Sequence, residues 1–453
     1  NIKIEGINNT LQGEGTSTSS ECFIVETYGD ATITAEKDNN FLIKSNSTGF
    51  HTALVAGRGY HSPLTSHIYV TAKNGNNTIY VDPSSPVTMF VGVYSGGDDS
   101  VISLSAPNGE NRIVADINTE SAKQTLEKYG KNTNGISSNF EGIQALDDRS
   151  QILLDSQRNI VEIFPAKFGT SESSEKGTGI LLGYSAPDCL ISLKAQHDNI
   201  VRASSYGMDL EENGSHVNLE AVHGDNIVYG GMYGINGTAQ EFVSMHTQEG
   251  NNSVTSEGTA IAAQNKCEVS MKADTGDNEV RGKEYAARAE QNGQITIESP
   301  KGTNYISAEG TAVDIMAGGT SRITVTGQSV IEGNKAALRT EKWEYSRDQD
   351  PVGGTIQVNY DGNSSITGDV YGLNEGTVNV TPQNSGKMVF TGNVYGADEQ
   401  ISLADFDQMP AFELKGYYGV VNKAWADLSS GGTANVELSA GSSMTGIADT
   451  GRR

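Results

Sequence analysis

The sequence predicts an all-β protein, built as a right-handed three-stranded parallel β-helix with loop insertions. The first observation is composition: Val, Ile and Leu recur among Gly, Asn, Ser and Thr along all 453 residues, with 53 Gly and only 10 Pro. β-Branched residues favour strands and small polar residues favour turns, so this mixture is typical of many short strands. The second observation is a repeat of 26 residues with three short blocks in each period, which indicates a stacked solenoid.

Four consecutive copies of the repeat share one asparagine position. The shared residues are Asn226, Asn252, Asn278 and Asn304. An apolar pair begins nine residues before each asparagine and a further block begins seven residues after it; in the first copy these are Val217 with Leu219, and Tyr233-Gly234-Ile235. Each period therefore predicts three short strands joined by turns. Because every coil presents apolar side chains to the next, we expect one continuous core.

Weaker copies extend the pattern in both directions. Upstream we assign the same position to Asn40, Asn77, Asn111, Asn159 and Asn199, and downstream Ser329 and Ser364 replace the asparagine. The upstream spacings widen to 37, 34, 48 and 40 residues, so the additional residues are expected to leave the core as loops. We therefore divide one continuous solenoid into N-terminal coils with loop insertions (1–190), regular coils (191–320) and C-terminal coils with two aromatic-containing insertions (321–453).

The asparagine position has two expected physical reasons. Asn tolerates the left-handed backbone conformation of a tight turn, and its amide can hydrogen-bond to the Asn one coil above and below. A glycine two residues earlier, such as Gly224 before Asn226, is expected to relax the same corner.

The charge of the chain excludes several classes of partner. The formal net charge is −25, and a polyanion gains nothing from counterion release on nucleic acid, so no nucleic acid is expected as a partner. Docking on an anionic membrane is also unfavourable, because the negative charges of the chain and the lipid surface repel each other. No apolar run approaches the roughly 20 residues that a membrane helix needs, so we expect no direct membrane insertion.

Cysteine and histidine usage predicts neither a disulfide nor a metal site. Cys189 and Cys267 are expected to be buried free thiols, because three coils at about 4.8 Å each separate them too far for a disulfide. His51, His61 and His67 fall within 17 residues but match no zinc spacing. We therefore expect no metal and no cofactor.

Two columns of polar residues are candidate ligand-binding rows. The first lies just before the asparagine position and consists of Asp198, Asp225, Asn251 and Asp277. The second follows the third block and consists of Asp209, Asn236, Arg288 and Asp314. An elongated ligand or partner would lie along such a row, and the alternative is that both rows are solvated surface that keeps the protein soluble. Catalysis would need carboxyl groups that converge on one pocket, whereas these columns repeat evenly.

An insertion in the C-terminal coils carries two further candidate binding residues. Trp343 and Tyr345 lie beside Arg347, and aromatic rings of this kind stack on sugars or anchor protein partners. The alternative is that they pin their own loop to the coils. The sequence contains no Gly-x-Ser-x-Gly motif and no Walker loop, so we expect the chain not to be an enzyme.

The three-strand coils, the asparagine ladder and the ending Gly441-Ser442-Ser443-Met444-Thr445-Gly446 resemble the passenger domain of a monomeric (type V) autotransporter adhesin of Gram-negative bacteria. The resemblance covers the whole chain as a pattern. It implies an N-terminal signal peptide and a C-terminal translocating barrel in the precursor, so this chain would be a processed or truncated passenger. It also implies export through the outer membrane to the bacterial cell surface.

The same resemblance implies a function in adhesion and biofilm formation. Such passengers bind host matrix proteins such as fibronectin, collagen and laminin, or glycosaminoglycans, and they share no binding motif that would transfer to residues here. A net charge of −25 disfavours a purely ionic contact with heparin-type glycans, so glycan binding would use hydrogen bonds, local Lys and Arg or a bridging cation. Two alternatives remain: a self-associating aggregation factor, and a β-helix polysaccharide lyase or hydrolase.

Overall fold

The computed structural model describes residues 1–14, 22–44, 50–57, 65–83, 85, 87, 89–116, 138–165, 175–183, 187–211, 213–316, 318–341, 353–373, 375–396 and 432–449. Every regular element in these ranges is a β-strand, so the all-β prediction is confirmed. The chain forms two compact units, Asn1–Ser256 and Glu257–Arg453. The same described ranges contain no helix long and apolar enough to cross a membrane.

The strands of the first unit are β1 (Ile2–Gly6), β2 (Asn9–Gly13), β3 (Cys22–Thr27), β4 (Asp30–Ala35), β5 (Asn39–Ile43), β6 (Phe50–Ala56), β7 (His67–Ala72), β8 (Asn77–Val81), β9 (Met89–Ser95), β10 (Val101–Asp116), β11 (Ser138–Ala145), β12 (Gln151–Phe164), β13 (Glu175–Leu182), β14 (Leu190–Ala195), β15 (Asn199–Ala203), β16 (Tyr206–Leu210), β17 (His216–Ala221), β18 (Asn226–Gly230), β19 (Tyr233–Gly237), β20 (Phe242–Thr247) and β21 (Asn252–Ser256).

The strands of the second unit are β22 (Thr259–Ala263), β23 (Glu268–Ala273), β24 (Asn278–Gly282), β25 (Tyr285–Glu290), β26 (Gln294–Ala308), β27 (Thr311–Met316), β28 (Arg322–Gly333), β29 (Ala336–Glu341), β30 (Thr355–Tyr360), β31 (Asn363–Thr367), β32 (Val370–Gly372), β33 (Thr377–Pro382), β34 (Lys387–Thr391), β35 (Val394–Gly396), β36 (Thr433–Val436), β37 (Ser443–Thr445) and β38 (Ala448–Asp449).

In the first unit, parallel strands stack in register in two sheets. Sheet A contains the first and second strands of each period, and sheet B contains the third. In one representative period, β17 pairs with β14 and β20, β18 pairs with β15 and β21, and β19 pairs with β16, all in parallel. Val217 lies opposite Val243, and Asn226 lies opposite Asn252. The predicted columns are therefore the pairing register of stacked parallel sheets, as in a β-solenoid.

The second unit has the same organisation. Its sheet A contains β23 and β24 next to the long strand β26, which continues through both positions of its period and pairs in turn with β28. Its sheet B runs from β22 through β25, β27 and β29, again in parallel. Asn278 lies opposite Asn304, and Asn304 lies opposite Ser329, so the predicted replacement of asparagine by serine is confirmed at this position.

Alternation along each strand builds the core. In β17, Val217, Leu219 and Ala221 are buried and the residues between them face outward; β18 continues with the same period of two. A period of two places alternate side chains on opposite faces of a strand, so one face of every coil is apolar. Cys189 and Cys267 are buried free thiols, as predicted, and Cys22 is also a buried free thiol.

A buried ladder of asparagine side chains connects the coils, and the structure corrects its upstream register. Asn39, not Asn40, occupies the ladder. Its side chain donates a hydrogen bond of 2.9 Å to Asn77 Oδ1 and accepts one of 2.8 Å from Asn9 Nδ2. In the regular coils Asn226 donates 2.9 Å to Asn252 Oδ1. Asn39 and Asn40 are adjacent asparagines, and only the inward direction of Asn39 in β5 distinguishes them.

The expected left-handed backbone at the asparagine position is wrong. The ladder asparagines begin strands and are not among the residues with positive φ, whereas Asp188, Asn265 and Asn292 have φ of 60°, 47° and 74° at other turns. The amide ladder alone therefore explains the asparagine column. The glycine two residues before the asparagine is needed because the backbones of neighbouring coils approach closely there. A Cβ on Gly250 would lie 1.9 Å from the carbonyl oxygen of Gly224.

Candidate functional site

The first predicted row serves the contacts between coils in the first unit. Asp198 Oδ1 accepts a hydrogen bond from the backbone N–H of Asp225 at 3.0 Å, and Asp225 Oδ1 accepts one from the N–H of Asn251 at 2.7 Å. The second carboxylate oxygen of Asp198 accepts 3.0 Å from Arg158 Nε. One side chain per coil thus satisfies the backbone donor of the next coil at the same corner.

The second unit repeats this contact. Asp277 Oδ1 accepts a hydrogen bond from the backbone N–H of Thr303 at 2.7 Å. A carboxylate or amide oxygen at this corner can accept from that main-chain donor. The regular spacing of the row is therefore explained by the fold, whether or not a ligand also contacts its outer oxygens.

The second predicted row is divided between two environments. In the first unit, Asn236 Nδ2 donates 2.8 Å to Asp209 Oδ1 on the outer face of sheet B. Burial raises the pKa of Asp209, although the bond from Asn236 and the charge of Lys176 oppose that rise. The ring of Tyr206 stacks on that of Tyr233 beside this pair, with centroids 5.7 Å apart and planes at 3°.

The same outer face carries an open pocket that sequence analysis missed. Its volume is about 260 Å³. The lining residues are Phe23, Phe50, Val55, Met89, Tyr94, Asn139, Glu141, Gln144 and Leu146. Four neighbouring strands, β3, β6, β9 and β11, supply all of these residues except Leu146, which follows β11 directly. We call this site the sheet B pocket.

Strand register explains why these side chains meet. Phe50, Met89 and Asn139 lie opposite one another on three neighbouring strands. Val55, Tyr94 and Gln144 form a second line. Phe23 contributes its ring from β3, with its centroid 6.3 Å from that of Phe50 and a tilt of 60°.

The pocket contains one buried carboxyl group, which is 5% exposed. Asn139 Nδ2 donates 2.6 Å to Oε1 of Glu141, and Oε2 of Glu141 has no hydrogen-bond partner within the described residues. Burial raises the pKa of Glu141 to about 7; the bond from Asn139 lowers it, and the charges of Asp209 and Glu211 raise it further. An unfilled acceptor in a desolvated site costs stability, and such a group is a candidate for ligand contact.

In the second unit, the other half of the predicted row converges into a buried ion cluster. Arg288, Asp314 and Arg339 lie opposite one another on β25, β27 and β29, so opposite charges alternate across the strands. Arg339 Nε donates 2.9 Å to Asp314 Oδ1 and Arg339 Nη2 donates 2.7 Å to Glu341 Oε1. Asp314 is 0% exposed. The column keeps its one-per-coil spacing in the second unit, but it is buried there and not solvated, because Asp314 lies between Arg288 and Arg339 in register.

The remaining contacts complete the cluster. Arg288 forms an ion pair with Glu290, and its guanidinium lies 4.9 Å from the centre of the Tyr285 ring. Burial raises the pKa of Glu290 and also that of Glu341, where the hydrogen bond with Asp314 acts in the same direction. A buried set of charges held by its own counter-ions is a packing element unless a cleft reaches it.

Two predicted binding residues, Trp343 and Tyr345, lie outside the described residues, as does His61. Within the ranges that the structure describes, no three His, Cys, Asp or Glu residues come together in the geometry of a metal site.

No protein-family model, no curated protein and no solved structure matches the chain.

Proposed function

We propose that the chain is a right-handed three-stranded parallel β-helix that serves as the adhesive passenger of a bacterial surface adhesin. In this proposal it is exported through the outer membrane, stays at the cell surface and binds a host matrix protein, thereby promoting adhesion and biofilm. It is not an enzyme, and it contacts neither nucleic acid nor the membrane interior.

Topology supports the solenoid part of the proposal. Strands β17, β18 and β19 follow one another, and β17 pairs in parallel with β20, the first strand of the next period. A crossover between parallel strands of one sheet is right-handed in about 98% of cases. This rule favours a right-handed path, and the succession of β17, β18 and β19 before β20 supports three strands per turn.

The sheet B pocket is the observation that carries the binding part. Its rim is open, and aromatic rings from Phe23, Phe50 and Tyr94 surround polar groups from Asn139 and Gln144. Aromatic anchors next to a few convergent polar groups are typical of recognition sites. Hydrogen bonds between coils account for the aspartate row, but they do not account for the aromatic and polar side chains that line the sheet B pocket.

Charge favours a protein ligand over a glycosaminoglycan. The chain carries a net charge of −25, and the pocket itself contains Glu141 close to Asp209 and Glu211. A sulfated polyanion would meet repulsion at this face. A matrix glycoprotein that presents basic side chains is the complementary partner.

A solid-phase binding panel tests the proposal. The purified chain is titrated onto fibronectin, collagen, laminin and several glycosaminoglycans, at graded salt and with a chelator, and each glycan is then examined for shortened products. Saturable binding to a matrix protein, with all glycans intact, is the expected result. Binding to no ligand, combined with concentration-dependent dimers in solution, would favour the aggregation factor instead.

One observation favours a second candidate function, a polysaccharide lyase or hydrolase. Asp314 and Glu341 converge on Arg339 in the second unit, and paired carboxyl groups carry out glycoside cleavage. Burial argues against it, because Glu341 is 4% exposed and Asp314 is 0% exposed. Shortened glycan in the panel, abolished by Asp314→Asn, would establish the enzyme and overturn the adhesin.

A further inference from the structure

We propose that the sheet B pocket binds an alkylammonium group of the kind that a lysine side chain of a protein partner presents. The inference deepens the proposed function and rests on it for the identity of the partner. It concerns the chemistry that the pocket recognises, and it follows from the geometry of Glu141 and the rings around it.

The first step is the unfilled acceptor. Glu141 lies on β11 and has an exposed fraction of 5%, and its Oε2 has no hydrogen-bond partner within the described residues. Its other oxygen is already held by Asn139 at 2.6 Å. The carboxyl is thus oriented and has one acceptor oxygen left for a donor that enters the pocket. An ammonium group supplies such a donor together with the charge that a desolvated carboxylate needs.

The second step is the wall around that acceptor. Phe23, Phe50 and Tyr94 contribute aromatic rings, and Val55 and Met89 contribute apolar surface. A cation over an aromatic face is attracted by the ring quadrupole, most strongly when both are desolvated. The methylene stem of a lysine also packs on apolar walls while its charged end reaches a polar partner. Both parts of the ligand therefore have a matching surface.

The third step is the charge of the surroundings. Glu26 on β3 lies opposite Val55, and Asp209 and Glu211 act on Glu141 through their charges. The basic residue nearest in register is Lys176, which lies opposite Asn139 on β13 and acts on Asp209. Among the described residues named here, four carboxyl groups and one ammonium give a negative balance, so a cation is favoured and an anion is repelled.

A matched pair of ligands tests the chemistry. Nα-acetyl-lysine methylamide and its Nε-acetylated form share the same stem, and only the first carries the charge. Titration of the full chain, followed by calorimetry or by NMR, is expected to show binding of the charged form at least about tenfold tighter than the neutral form. Tetramethylammonium serves as a second cationic probe that cannot donate a hydrogen bond. Equal binding of the charged and acetylated lysine ligands would overturn the inference.

Two variants test the residue. Glu141→Gln keeps the size of the side chain and removes the carboxylate, and it is expected to weaken binding of the lysine ligand by about tenfold or more. Glu26→Gln is the matched control: it removes the same charge from the same face but lies outside the pocket lining, so binding is expected to change less than about twofold. Unchanged binding in Glu141→Gln would overturn the inference.

The pH dependence supplies a further readout. Because burial raises the pKa of Glu141 to about 7, ligand affinity in the wild type is expected to rise between about pH 6 and about pH 8 as the carboxyl ionises. In Glu141→Gln that rise is expected to disappear. A rise that persists in the variant would assign the titration to another group, such as Asp209, and would count against the inference.

The inference and the proposed function fail in different ways. Lysine-ligand binding that Glu141→Gln abolishes, together with silence on every matrix protein, would refute the adhesin and retain the cation pocket. Matrix-protein binding that survives in Glu141→Gln, without lysine-ligand binding, would retain the adhesin and refute the cation pocket.

Discussion

The asparagine ladder makes a prediction that two adjacent residues can distinguish. Asn39 donates 2.9 Å to the carbonyl oxygen of Thr71 and 2.9 Å to Asn77 Oδ1, and accepts 2.8 Å from Asn9 Nδ2. Asn40 faces outward, and its side chain makes no hydrogen bond with the described residues. Asn39→Ala therefore removes three hydrogen bonds, two of them buried and one partly buried, whereas the matched control Asn40→Ala removes none of them.

The expected magnitude follows from the bonds lost. Each buried hydrogen bond contributes about 1 kcal/mol net, and an orphaned partner such as Asn77 Oδ1 adds to the cost, so Asn39→Ala is expected to destabilise its coils by about 3 kcal/mol. Asn40→Ala is expected to change stability by less than about 0.5 kcal/mol.

The assay must be local, because a solenoid is stabilised coil by coil. Amide hydrogen exchange is measured over β5 and β8, where about 3 kcal/mol corresponds to roughly a hundredfold loss of protection. The peptides of β18 and β21, far along the ladder, are the internal control. An Asn40→Ala effect equal to or larger than that of Asn39→Ala would refute the register and the role assigned to the ladder.

Three further predictions concern buried groups. The pKa of Glu141 is about 7 in the folded chain, against an ordinary value of 4.5. The contribution of the neutral Glu141 carboxyl to the free energy of unfolding is therefore complete below about pH 4.5 and is lost as the pH rises through about 7. By amide hydrogen exchange over β9 and β11 at about pH 8, Glu141→Gln should therefore be more stable than wild type by about 3 kcal/mol, and no gain there would contradict the assigned burial. Arg339→Met removes the cation that pairs with Asp314 and Glu341 and should cost about 3–5 kcal/mol by hydrogen exchange over β27 and β29. The control Arg281→Met removes an exposed ion pair with Glu279 and should cost less than about 1 kcal/mol. Burial raises the pKa of the Cys22 thiol, and that of Cys189 to about 11, so thiol reagent at about pH 8 should react slowly until denaturant is added, and fast reaction would show that these thiols are accessible.

Features that repeat were predictable, because each coil places the same residue type in the same environment. The period of 26 residues in the regular coils and the serine replacement at Ser329 both follow from side-chain identity along one column. The error at Asn39 has a physical origin. Two consecutive asparagines satisfy the spacing equally well, and only the alternation of inward and outward side chains in β5 decides between them.

The role of the aspartate row was not predictable from spacing alone. A carboxylate that accepts a backbone N–H from the next coil looks, in the sequence, the same as a carboxylate that faces solvent. Asp225 and Asp198 show this, because each has a main-chain partner one coil away. The ion cluster of the second unit was missed for a related reason: Arg339 sits opposite Asp314 only once the register of β29 is known.

The sheet B pocket had the weakest sequence signal of all. Its residues come from four strands separated by connections of unequal length, so they share no spacing. Glu141, between Phe140 and Gly142 in a strand that is otherwise apolar or small in its middle, was the one available hint, since a carboxylate is rarely buried without a partner. A sequence repeat reveals residues that every coil shares, whereas this pocket depends on residues that only a few coils carry.

The central claim is that ligands bind the sheet B face of the first unit, and a hydrogen-exchange footprint tests it most directly. The chain is saturated with the matrix protein that binds most tightly in the panel, and exchange is compared with that of the free chain. The account predicts slower exchange in β6, β9 and β11, and loss of that footprint together with the binding in Glu141→Gln. Protection confined to the corners around Asp198, Asp225 and Asn251, with β6, β9 and β11 unchanged, would contradict it.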